Sequence, residues 1–127
     1  MIISQILIIL LISSLKSINS EKNILPKIGE FQSNVVRNVL SKFRLLCSID
    51  EGSKPFRIDW FFEQNSVNNN SRIHIQNIDD SSVLTIDRLD KFDSGNYSCK
   101  AQNRYGYDVQ STILTIKGLF TCSFVYF

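Results

Sequence analysis

The hydrophobic pattern of this chain predicts an all-β fold, two sheets packed face to face in one sandwich. Three observations carry that prediction. Apolar residues alternate with polar ones at a period of two. The alternating runs are short and are parted by turn-forming residues. No stretch after the N-terminal segment is convincing as a helix. A period of two sends every second side chain to the same face of a strand, as a half-buried strand requires. Short strands parted by turns at regular spacing mark a sandwich.

The elements follow in order between Lys27 and Lys117. Phe43, Leu45, Cys47 and Ile49 share one parity, with Arg44 and Ser48 on the other. Phe56, Ile58, Trp60 and Phe62 repeat the pattern, with Arg57 and Asp59 facing away. Between the two lies Asp50-Glu51-Gly52-Ser53-Lys54-Pro55, a turn by composition. The segment 64–71 is rich in Asn and Ser and reads as a loop or a frayed edge strand. Arg72–Gln76 and Val83–Asp87 are strand candidates, with Asp79–Ser82 turning between them. Gly95–Asn103 and Asp108–Lys117 complete the set, joined by a turn at Arg104-Tyr105-Gly106. Seven or eight strands are expected in all.

Size and charge narrow the function classes. A chain of 127 residues holds one domain comfortably and two poorly. The formal net charge is only +2, and no basic block stands out, so the electrostatic footprint of a nucleic-acid binder is missing. Ile6–Ile12 reads ILIILLI and gives way to the small and polar run Ser13–Ser20. That is the layout of a secretory signal peptide over 1–20, although no Lys or Arg precedes the apolar run. It is too short to span a bilayer, which takes about 20 apolar residues. Secretion places the chain where disulfides persist. Its three cysteines then allow one bridge and one leftover thiol.

The residues that decide the family are spread along the chain. Cys47 and Cys99 are separated by 52 positions. Trp60 falls on the strand after Cys47. Leu84-Thr85-Ile86 precedes Asp93-Ser94-Gly95-Asn96-Tyr97-Ser98-Cys99, and Ala101-Gln102-Asn103 follows. Together these residues resemble the immunoglobulin superfamily, and most closely its I-set domains. A narrower set, Pro26-Lys27-Ile28, Cys47-Ser48-Ile49, Gly52, Pro55, Ile58, Trp60 and Ser94–Cys99, is similar to Dscam-type cell adhesion domains of arthropods. The chain departs from that pattern at Leu40-Ser41, where a Gly is usual, and at Gly52-Ser53, where Gly-Asp is common.

The resemblance implies an immunoglobulin-like, two-sheet Greek-key sandwich over residues 24–117. It implies a Cys47–Cys99 disulfide joining the sheets, with Cys122 left free. Trp60 would pack its indole on that bridge, with Leu84 and Ile86 in the same core. The Tyr97 hydroxyl would lock the turn before its own strand. It further implies a salt bridge from Arg72 to Asp93, with Arg37 and Arg88 as alternative cations.

Other signals point to less. His74 is the only histidine, and nothing marks the partners that a catalytic triad or a zinc site needs. Asp87, Asp90 and Asp93 lack the Gly-centred loop of a calcium site. No catalytic residue, metal or cofactor is therefore expected. Two sequons, Asn69-Asn70-Ser71 and Asn96-Tyr97-Ser98, make Asn69 and Asn96 candidate glycan acceptors. The tail 118–127 contains LFTCSFVYF, apolar and without turn residues. It reads as an incomplete gene product, broken where a next domain begins, or else as a sticky strand with an intermolecular thiol.

The expected function is an extracellular protein-binding module, a fragment of a Dscam-like adhesion and recognition receptor. Its partners would be other proteins, self-recognition through linked domains being one option. No nucleic acid or small-molecule substrate is expected, and membrane attachment only through a missing downstream part. The alternative is a freely secreted immunoglobulin-fold protein acting in defence or as a decoy, with an enzyme as a remote third.

Overall fold

The computed structural model describes residues 22–118. The expected signal peptide over 1–20, the tail after Gly118 and Cys122 lie outside the described residues. The alternating runs become strands β1 (Lys27–Ile28), β2 (Asn34–Asn38), β3 (Phe43–Glu51), β4 (Arg57–Phe62) and β5 (Asn65–Ser66). They continue as β6 (Ile73–Ile78), β7 (Ser81–Ile86), β8 (Gly95–Asn103) and β9 (Gly106–Lys117). One sheet has the order β1-β3-β7-β6 and the other β2-β9-β8-β4-β5. The two sheets form the sandwich that the alternation predicts.

The described residues hold nine strands, not seven or eight, because β1 and β5 are only two residues each. The turn between β6 and β7 is tighter than the composition suggests. Asp79 adopts φ of 50°, the strand resumes at Ser81, and Ser82 is fully buried. A short 3-10 turn at Lys91–Asp93, absent from the sequence reading, is held by a reciprocal cap. The Asp90 carboxylate accepts from Phe92 N–H at 2.7 Å, and the Asp93 carboxylate accepts from Asp90 N–H at 2.8 Å.

The N-terminal strand changes sheets. β1 pairs antiparallel with β3, and β2 then runs parallel to β9 in the opposite sheet. Gly29 N–H is bonded to Ser48 C=O at 2.9 Å, and Ile113 N–H to Ser33 C=O at 2.9 Å, so both halves of the crossing are tied down. Phe31, within the crossing, stacks on Trp60 with ring centroids 6.3 Å apart. Leu40, where the related pattern has glycine, takes φ of 70° and still gives its N–H to Leu89 C=O at 2.7 Å. Leucine therefore carries there a left-handed conformation that favours glycine.

The core fills the space between the sheets. β3 sends in Phe43, Cys47 and Ile49; β7 sends Leu84 and Ile86; β8 sends Tyr97, Cys99 and Ala101; β9 sends Leu114 and Ile116. Leu89, between β7 and β8, is also fully buried. Gly95 closes one end of the core at φ of 153°, where an added Cβ would lie 2.6 Å from the Phe62 ring.

Thr112 sits in this apolar layer, 1% exposed and directly across from Tyr97. Among the described residues its hydroxyl is a buried side-chain oxygen with no hydrogen-bond partner. Thr112→Val should raise the unfolding free energy by about 1 kcal/mol, since a methyl group there leaves nothing unpaired. Urea denaturation checks this, and a clear loss of stability would show that the hydroxyl has a partner.

Candidate protein-recognition face

The residues singled out in the sequence come together around one pin between the sheets. Cys47 and Cys99 are disulfide-bonded, with Cα atoms 6.4 Å apart and both sulfurs fully buried. Trp60 pairs directly with Cys99 across β4 and β8 and is 2% exposed. Its Nε1–H donates to Ser82 Oγ at 2.8 Å, so the one polar group of the indole is satisfied inside the core. Sequence reasoning missed both partners of Trp60, Ser82 and Phe31.

Two residues before Cys99, Tyr97 shares its inward parity. Its ring packs on Phe62 at 4.7 Å and on Phe43 at 5.9 Å. Its hydroxyl donates to the Asp93 C=O at 2.7 Å, fastening the 3-10 turn to the strand that follows it. Arg72, in the bend just before β6, holds the same turn from the other side. Its Nη1 and Nη2 donate to Asp93 Oδ2 and Oδ1 at 2.8 and 3.0 Å, and Nη1 also reaches Arg88 C=O at 3.3 Å. The paired bonds to Asp93 raise the pKa of Arg72 above its ordinary value. Of the alternative cations, Arg37 bonds its neighbour Val36 C=O, and Arg88 offers only its carbonyl to this cluster.

The remaining candidates have separate local roles. His74 Nε2 lies 3.1 Å from Asp87 Oδ2 on an exposed face, and Lys42 contacts the same carboxylate at 3.3 Å. Asp87, Asp90 and Asp93 are thus engaged with His74 and Lys42, the 3-10 cap, and Arg72 respectively. Asn69 Oδ1 accepts from Ile75 N–H at 2.6 Å, and Asn70 Oδ1 from Ile73 N–H at 2.7 Å. These bonds cap part of the free edge of β6, which would otherwise offer unpaired N–H groups to another strand. Asn103 Nδ2 ties the β8–β9 hairpin to Ile24 C=O and Ser53 C=O at 2.8 and 3.0 Å.

With inward positions fixed, the outward face of the five-stranded sheet is determined row by row. Arg57, Gln102 and Tyr107 lie side by side, then Asp59, Lys100 and Val109, then Phe61, Ser98 and Ser111, then Asn96 and Ile113. Arg57 and Asp59 pair at 3.0 Å, and Lys100 Nζ sits 4.5 Å from the Tyr107 ring centroid. Tyr107 is 62% exposed, Val109 41% and Ile113 50%. Ile113 is exposed as its outward parity implies, whereas Phe61 is half-buried. Charged and apolar groups alternate here on a backbone fixed by the pin. Such a face suits contact with another protein surface.

Burial pushes the Tyr97 hydroxyl well above its ordinary value of 10.0, and the charge of Asp93 adds to the effect. The protonated phenol is the form the fold favours, so its contribution is complete below pH 10 and is lost as pH rises further. Tyr97→Phe should cost about 1 kcal/mol at neutral pH. The stability gap between wild type and variant should close in alkaline denaturation series above pH 10. A gap independent of pH would contradict the assignment.

The family model for the immunoglobulin I-set domain matches residues 26–116. The chain is 34% identical to titin of Drosophila melanogaster over 67 residues, 53% of this chain. It is 31% identical to hemicentin-1 of Homo sapiens over 85 residues, 67% of this chain and 1% of that protein. It is 34% identical to myopalladin of Mus musculus over 79 residues, 62% of this chain and 6% of that protein. The chain therefore spans at most 6% of these relatives' own length. Among solved structures, the Dscam1 Ig7 domain superposes with a TM-score of 0.70 at 22% identity, covering 76% of this chain and 100% of that one. Titin domain M7 superposes with a TM-score of 0.70 at 20% identity, covering 77% and 99%. At these identities the two structures speak for the shared fold alone. The family match over most of the chain speaks for more: this chain belongs to the immunoglobulin I-set family.

Proposed function

We propose that this chain is an extracellular protein-recognition module of a Dscam-like adhesion receptor, binding through the outward face of its five-stranded sheet. The observation that carries the reading is the content of that face. Tyr107 and Val109 stand exposed beside Arg57, Asp59 and Lys100, and the whole set is held on paired strands. Tyrosine and arginine side chains on a rigid surface, here Tyr107 and Arg57, are among the groups that dominate protein–protein contacts. The Cys47–Cys99 bridge supports a place outside the reducing cytosol. The likeness of Cys47-Ser48-Ile49, Trp60 and Ser94–Cys99 to Dscam-type adhesion domains supports a receptor setting.

A second reading is favoured by 31% identity to the muscle M-line assembly protein unc-89 of Caenorhabditis elegans. On that reading the domain is an assembly element inside the cell. Counting free thiols in protein taken from its native tissue separates the two. An oxidised Cys47–Cys99 pair supports the extracellular setting.

One domain offers limited area. A stable interface buries about 1,200–2,000 Å² in total, and several outward positions here are polar. Strength is then expected from linked domains acting together. Residues 21–117 should sediment as a monomer at micromolar concentration in analytical ultracentrifugation. A dimer persisting at nanomolar concentration would instead make the domain a self-sufficient homophilic module. Displayed as a multivalent probe, it should bind cell surfaces, and Tyr107→Ala should weaken that binding at least about tenfold. If Leu46→Ala on the opposite sheet weakened it more, the recognition face would be misassigned.

A further inference from the structure

The outward face carries a feature that recognition by Tyr107 and Val109 leaves unused. Asn96 opens β8 with its side chain outward, because Tyr97 and Cys99 on either side of Ser98 point in. Both of its backbone groups are engaged by Glu63. Asn96 N–H donates to Glu63 Oε1 at 2.8 Å, and Asn96 C=O accepts from Glu63 N–H at 2.9 Å. No hydrogen bond among the described residues engages its carboxamide, in contrast to Asn69. Directly across on β9 stands Ile113, half exposed. Asn96, Ile113, Ser111 and Ser33 line a shallow hollow of about 310 Å³. Ser98, the third residue of the sequon, faces outward two positions along, its hydroxyl 2.8 Å from that of Ser111.

We propose that Asn96 carries an N-linked glycan whose first sugars lie in this hollow over Ile113, confining protein recognition to the half of the face around Arg57, Asp59, Lys100, Tyr107 and Val109. The inference rests on the extracellular reading above, since the modification needs passage through the secretory route. The donor is a polyprenyl-diphosphate-linked oligosaccharide. The Asn96 amide nitrogen bonds to C1 of the first sugar and loses one proton. The bond from C1 to the diphosphate oxygen breaks, and the lipid diphosphate departs. The rigid backbone at Asn96 fixes where the sugar emerges, and Ile113, directly across on β9, is the apolar surface it meets there.

The test uses the full chain expressed in a secreting animal cell line. Glycan removal by peptide-N-glycosidase in heavy-oxygen water marks each formerly occupied asparagine for mass spectrometry. Hydroxyl-radical footprinting then compares the glycosylated protein with the enzyme-treated protein and with Asn96→Gln. The expected result is a mark at Asn96, and several-fold greater oxidation of Ile113 in both sugar-free forms, with Tyr107 unchanged. Secreted chain marked at Asn69 but not at Asn96 would overturn the inference and leave the extracellular reading standing. A chain retained in the cell with neither site marked would overturn both. Equal oxidation of Ile113 in all forms would overturn the placement of the sugar.

Discussion

Everything in this domain is arranged from the buried pin of Cys47, Cys99 and Trp60. A sandwich has no ladder of backbone hydrogen bonds between its two sheets, so apart from the crossing N-terminal strand, side chains set their separation and register. The disulfide fixes one point on β3 against one on β8. Trp60, paired with Cys99, adds a rigid surface, and its bond to Ser82 reaches β7 in the other sheet. From Cys99 the rest follows by parity. Tyr97 must point inward, which brings its hydroxyl down onto the Asp93 carbonyl. Asp93 is then held where Arg72 can reach it from beside β6. The pin at the centre and the Tyr97–Asp93–Arg72 corner at one end therefore constrain the same pair of sheets.

The same parity makes the outer face. Once Cys99 and Ala101 are inside, Ser98, Lys100 and Gln102 have no choice but to face out, and the register with β4 and β9 lines them up with Asp59, Tyr107 and Val109. The proposed recognition face is a by-product of the rigid core, because packing fixes only the inward positions and leaves the outward ones without that constraint. The N-terminal strand contributes by crossing between sheets. It covers Trp60 with Phe31 and gives β9 a parallel neighbour.

Much of this is legible in the sequence, for a physical reason. Strands with one buried face write their burial into every second residue, so β3, β4, β8 and β9 were readable from Phe43, Trp60, Tyr97 and their neighbours. Cys47, Cys99, Arg72 and Asp93 were readable only through resemblance, since their partners lie far away in sequence. What was hidden depended on context. Ser82 looks like a turn residue, and only the approach of the indole makes it part of the core. β1 and β2 are too short or too exposed to alternate, and the sheet switch between them leaves no composition signal. Asn69 and Asn70 read as part of a loop that carries a sequon, yet their carboxamides cap a strand edge, which depends on the chain folding back on β6. Phe61 is outward by register but is half-buried, because exposure depends on neighbouring strands as well as parity.

The Cys47–Cys99 bridge holds the two sheets of the sandwich together. Equilibrium denaturation of the wild type against the Cys47→Ala/Cys99→Ala double variant tests this most directly. Closing a ring of this length should contribute about 4 kcal/mol, so the variant should lose about that much stability. A variant as stable as wild type would contradict the account and leave packing around Trp60 alone to hold the sheets together.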